Sequence, residues 1–444
     1  MTPSPGFHRG LDNTMQQDGL DFKQAPPITV PFRFFLTAPL FGVLAALAML
    51  WYGPDLFVSR WSPATLAVVH LLTLGSMTMV MAGAMTQMLP VLAGAPVARP
   101  RTVAAIVHST LVMGTLMMAA GFLFAQPLLL KTALWLLGAG LSIFLAATLS
   151  IVTRTRNPTP TVFAVGVSAA ALAVTLVLGL TLLASRAWGF ALPNAALRDL
   201  HPAWALMGWT GLLVAGVAYQ VVPMFQITPH YPRWLTRAFA GVIFGVLALL
   251  SLAQWQAEGA GQSGWEWLAL VCIFVLAAAY IVLAGVTIDL QRKRRRRLPD
   301  VTVEFWRYGM ACLGLSALLL VSQTVAPLRF EQADVLLGVL VIVGAAMSFI
   351  SGMLCKIVPF LAWFHLQSKA GIGKSVPNVR AMLPEKAQRL QLRSHLAALA
   401  ACVGAALAPS LFAYPAALLF GAASVSVLWN MMSVAKVYRR LAIA

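Results

Sequence analysis

Apolar residues in this chain run in long blocks broken by short polar segments, and almost nowhere alternate with polar ones. A helix crossing the hydrocarbon core of a bilayer takes roughly 20 apolar residues. Blocks of that length recur nearly end to end, and they predict twelve membrane-spanning helices, over 31–53, 64–92, 102–124, 127–153, 160–185, 198–226, 235–254, 266–290, 304–325, 333–364, 393–411 and 414–438. The tenth is long for one crossing, which implies tilt or an extension past the membrane surface. Residues 1–30 are polar and carry no apolar stretch followed by a small-residue cleavage site, so the expectation is a polar tail without a signal peptide. Residues 31–444 read as a single polytopic membrane domain.

Composition and charge refine this picture. With 60% hydrophobic and 10% charged residues, the 444-residue chain falls outside the soluble globular range. Its formal net charge of +18 would suit nucleic acid, but the basic residues are confined to short segments between the apolar blocks. Arg99 and Arg101, Arg154 and Arg156, Arg233 and Arg237, the run Arg292–Arg297, and Lys369, Lys374 and Arg380 all follow even-numbered blocks. Lys436, Arg439 and Arg440 close the chain. The opposite connections hold acids instead: Glu258, Glu266, Glu331 and Asp334. This is the positive-inside distribution, and it places both termini in the cytoplasm. The Arg292–Arg297 run could also attract anionic lipid. Nucleic-acid binding is set aside because no basic face carries interleaved aromatics. The four cysteines, Cys272, Cys312, Cys355 and Cys402, lie in apolar blocks without a C-x-x-C pair, so neither a disulfide framework nor a zinc site is expected.

The second, sixth and tenth blocks share a signature. They contain Gly83…Gln87…Pro90, Gly216…Gln220…Pro223 and Gly352…Lys356…Pro359, with the glycines 133 and 136 residues apart. Each interval spans four helices. A small residue permits close helix approach, a polar residue in a span faces the bundle interior, and a proline ends or bends the helix. The expectation is an all-α membrane protein of three four-helix repeats (roughly 31–153, 160–290 and 304–438) arranged with pseudo-threefold symmetry.

On these residues the chain resembles two related groups. Twelve helices in three four-helix arcs is the plan of subunit I of the heme-copper oxidases, and His70 through Gly94-Ala95-Pro96 resembles the low-spin-heme helix there. The stretch Phe32-Arg33-Phe34-Phe35-Leu36, and His70 followed by Gly75, Gly83 and Pro90, resemble more closely the NnrS family of heme- and copper-containing membrane proteins linked to nitric oxide metabolism. The likeness is specific over residues 32–101 and architectural beyond. It implies a bacterial inner (cytoplasmic) membrane protein that binds heme and, as a second cofactor, copper, and that acts in nitric oxide or respiratory metal handling. The departures exclude a terminal oxidase. Blocks 235–254 and 333–364 lack the histidines that an oxidase carries there, and His201-Pro202 is followed at the fourth position by Ala205, where an oxidase has tyrosine.

His70 and His201 both stand near the start of even-numbered blocks and are the candidate heme or metal ligands. Imidazole is a common ligand for both; an interfacial hydrogen-bonded histidine is the plainer reading. Projected at 100° per residue, Met77, Met81 and Met88 fall on the face of His70, and thioethers with imidazole suit Cu(I). Ordinary packing is the favoured reading of such a methionine stripe. Gln87, Gln220 and Lys356 form a candidate polar pathway. In it, Lys356 either holds a propionate, lipid phosphate or transported anion, or reaches the cytoplasmic interface. His108, His230, His365 and His395 read as solvated or interfacial, and His8 belongs to the tail. Two other readings stay open: a cofactor-free transporter or channel, and an assembly protein that contacts respiratory oxidase or reductase subunits. The lipid bilayer is the one partner the composition requires. Nothing in the sequence specifies an oligomeric state.

Overall fold

The computed structural model describes residues 24–155, 158–260, 263–295, 298–325, 332–369 and 376–443. His8 with most of the tail, Arg156, Arg296, Arg297, Glu331 and Lys374 lie outside the described residues. Among the described residues, twelve helices are long and apolar enough to cross a membrane: α1 (Thr29–Phe57), α2 (Pro63–Ala93), α3 (Pro100–Leu123), α4 (Pro127–Val152), α5 (Pro160–Trp188), α6 (Leu197–Gln226), α7 (Arg233–Glu258), α8 (Gly264–Arg292), α9 (Val301–Val325), α10 (Ala333–Ser368), α11 (Glu385–Leu407) and α12 (Pro409–Ala442). No strand occurs among the described residues. Proline at the first helical position opens α2, α3, α4, α5 and α12, where its missing N–H costs nothing.

Two of these helices depart from the expected bounds. α11 begins at Glu385 rather than near 393, because its first two turns are polar (Arg389 pairs with Glu385 and Glu304) and so escape a hydropathy reading. α10 extends to Ser368 and therefore contains His365, so the expectation of a histidine-free tenth helix is corrected.

Each helix packs on the next, and α12 returns to α1. α2, α6 and α10 lie inside the ring so formed: 72%, 61% and 56% of their most apolar stretches are buried, against 28–50% for the other nine. Glycines seat them. A Cβ added at Gly75 or Gly83 of α2 would lie 2.8 Å from the Phe41 Cβ or 2.7 Å from the Phe34 Cβ of α1. On α6, Gly208 and Gly216 meet Ala171 and Ala164 of α5 in the same way, at 2.9 and 2.7 Å. On α10, Gly344 and Gly352 meet Cys312 and Phe305 of α9, both at 2.8 Å. In all three pairs the glycines are eight residues apart and their partners seven. The second glycine of each pair was visible in the sequence, but only the contact reveals its use.

A further feature common to the inner helices has no sequence signature. Leu71–Thr78, Trp204–Gly211 and Val339–Ala346 are π-helical, with wider turns than the α-helix on either side. In α6 the wider turn leaves the Met207 carbonyl to accept from Tyr280 Oη of α8 at 2.5 Å. The starts of the three inner helices are joined by one cation: Arg60, just before α2, sits 2.7 Å from Asp199 of α6 and 3.1 Å from Asp334 of α10.

The glycine seats make a direct prediction. Gly83→Ala and Gly216→Ala place a methyl against a neighbouring Cβ and are expected to destabilise the protein by about 1–3 kcal/mol each. Gly241→Ala, with open space around it, is expected to be neutral or mildly stabilising. Thermal unfolding of the detergent-solubilised variants distinguishes these outcomes.

Candidate functional site

The start of α2 is fixed before His70 is reached. Ser62 Oγ accepts from Thr65 N at 3.1 Å, capping the helix, and Thr65 Oγ1 donates to the Leu56 carbonyl at 2.6 Å. α6 starts comparably: Glu258 of α7 accepts from Ala195 N at 2.8 Å, and Asn194 Oδ1 accepts from Ala196 N at 2.8 Å. These contacts hold the two histidine-bearing turns at one end of the bundle, the end where Arg60 bridges Asp199 and Asp334.

There the rings of His70 and His201 lie nearly parallel, with an interplanar angle of 19° and centroids 6.4 Å apart. His70 Nδ1 is 2.7 Å from the Leu66 carbonyl of its own helix, and His201 Nδ1 is 3.2 Å from the Thr175 carbonyl of α5. A carbonyl only accepts, so Nδ1 carries the proton in both rings. This leaves the Nε2 lone pair of each available. Gly179 of α5 makes room for the second ring, since a Cβ there would lie 2.8 Å from His201 Cε1. Phe122 of α3 covers His70 from another side, with centroids 6.1 Å apart. Both imidazoles are half-buried.

The other candidate residues lie apart from this pair. Met77 is fully buried, whereas Met81 and Met88 line a cavity between the inner helices that neither histidine touches. The 100° projection that grouped them with His70 does not carry across Leu71–Thr78, because a π-helical turn winds fewer degrees per residue. Gln87 is buried with its Oε1 unpartnered, and Gln220 is half-buried. Lys356 donates to Asp300 Oδ2 at 2.9 Å at the opposite end of the bundle from the histidines. Among the described residues no hydrogen bond links Gln87, Gln220 and Lys356 into a path.

Of the histidines expected to be solvated or interfacial, His395 departs from that expectation, while His108 and His365 are half-buried. His395 is buried, 5% exposed, with its Nε2 2.8 Å from Ser348 Oγ. His108 lies 2.9 Å from Thr37 Oγ1, and both ring nitrogens of His365 face carbonyls, those of Leu361 and Pro26. Each faces a neighbouring segment, and a hydropathy reading of one helix carries no information about that contact. Among the described residues no group of three or more His, Cys, Asp or Glu could hold a metal ion.

The Lys356–Asp300 pair is partly shielded and breaking it leaves a charge without its partner. Lys356→Met is expected to cost about 2 kcal/mol, read as a lower melting temperature. Combining it with Asp300→Asn should recover part of the loss; a double-variant loss equal to the sum of the two single losses would show that the pair is uncoupled.

No family model matches this chain, and no curated protein matches its sequence.

Proposed function

We propose that this chain is a membrane protein of the NnrS and heme-copper-oxidase type, in which His70 and His201 hold a heme or, as the alternative, a copper ion. The observation that carries the reading is the His70–His201 pair, two imidazoles from different helices with both Nδ1 atoms committed to carbonyls and both Nε2 atoms without a partner among the described residues. A hydrogen bond on the far nitrogen is the usual way a ligand histidine is oriented and its basicity raised. Two imidazoles held in this way, with centroids 6.4 Å apart, would hold the group from two different helices.

The bound group would supply one-electron chemistry and an affinity for nitric oxide. The chain's own residues do the positioning. The Leu66 and Thr175 carbonyls fix the rings, Gly179 admits one of them, and the bridge from Arg60 to Asp199 and Asp334 ties together the helix starts on which they stand. The recurring glycine seats support a plan of three four-helix repeats. Oxygen reduction on the oxidase plan is disfavoured, because α7 carries no histidine and the one on α10, His365, stands at the far end from the pair. The charge pattern supports a bacterial inner membrane location with both termini cytoplasmic.

The test is an absorption spectrum with metal analysis after heme-replete expression. Wild type is expected to show a Soret band, and His70→Ala and His201→Ala to lose it; bound copper without a Soret band would select the alternative. Wild type with neither would overturn the reading and leave the cofactor-free transporter and assembly roles. Topology is checked separately. A fluorescent protein fused at the C-terminus should be fluorescent, and alkaline phosphatase fused after Gly189 should be active.

A further inference from the structure

Between the inner helices lies a partly open cavity of about 80 Å³, lined by Met81, Ala84 and Met88 of α2, Val217 of α6, Met353 of α10 and Trp306 of α9 among others. Its wall consists of aliphatic, thioether and aromatic side chains, with the Trp306 indole the one group able to hydrogen-bond. Water in a buried site needs two to four polar partners, and this wall does not offer them. A cation is no better served. The thioethers are soft ligands, but no carboxylate or imidazole lines the space, so a metal ion would be stripped of water with its charge uncompensated.

The remaining occupant is small, uncharged and apolar. Such a guest loses little on leaving water or lipid and gains dispersion contacts with a dense, polarisable wall of sulfur and aromatic carbon. The space is also reachable. On α2 its lining runs as far as Leu92, in the last turn before Ala93, and Ala84, Met88 and Val217 are only half-buried although they stand on the inner helices. We infer that the space between α2, α6 and α10 is a binding site for a small uncharged apolar molecule of a few heavy atoms. The inference is independent of any metal at His70 and His201, which do not line the cavity.

Xenon is the probe. Crystals of the full chain under xenon pressure should show an anomalous peak among Met81, Val217 and Met353. Ala84→Leu and Val217→Phe, which fill the space from two different helices, should abolish that peak while leaving the melting temperature unchanged or raised. Absence of the peak in wild type, ordered water or copper in its place, or a peak that persists in both folded variants would overturn the inference. Because the wild-type crystal alone can refute it, a variant that fails to fold does not leave it untested. His70→Ala should bind xenon as wild type does, so a negative spectrum and a negative xenon map remain distinguishable.

Discussion

Close approach of α2, α6 and α10 to the helices that precede them is the constraint on which the rest of the structure depends. In a bilayer the lipid is as apolar as leucine, so burying hydrocarbon gives helices little reason to associate, and van der Waals packing must hold them. The glycine seats provide that packing by letting one backbone settle onto a neighbouring Cβ. Once α2, α6 and α10 are drawn inward, their N-terminal turns converge. That convergence is why Arg60 can meet Asp199 and Asp334 together, and why two histidines 131 residues apart come within 6.4 Å between ring centroids.

The π-helical segments work within this constraint. A wider turn rotates everything beyond it relative to everything before it, so a helix can present one face at its start and a different face at its end. In α2 the segment begins immediately after His70. The histidine turns toward α6, while Val80, Met81, Ala84 and Met88 line the space between the inner helices. The two ends of one helix thereby serve two separate places, a polar pair near one end and an apolar cavity nearer the other.

Polar groups are scarce inside this bundle, and most are tied to a partner on another helix or to a carbonyl of their own. His395 reaches Ser348, Asn430 donates to Gln391 at 2.7 Å, and Gln291 donates to Gln226 at 2.9 Å. Cross-helix bonds of this kind are worth only about 1 kcal/mol each in membranes, so their main consequence is to fix which helices are neighbours and at what rotation. His70 and His201 are held instead by carbonyls, each through Nδ1, and their rings face one another across two helices.

Much of the fold was legible in the sequence because it rests on local quantities. Span length and apolar continuity follow from what a bilayer demands of a single helix, and they located all twelve helices. The glycine spacing was visible for the same reason, as was the isolation of His70 and His201 in apolar surroundings. What only the tertiary structure decided is which residues meet. The polar first turns of α11, the burial of His395, the Asp300 partner of Lys356 and the separation of Met81 and Met88 from His70 depend on contacts between helices distant in sequence. They depend also on π-helical turns that break the 100° rule on which any projection from sequence relies. Hydropathy and periodicity describe a helix against its solvent. The pairing of His70 with His201 is a property of two helices packed against one another, and no single-helix pattern encodes it.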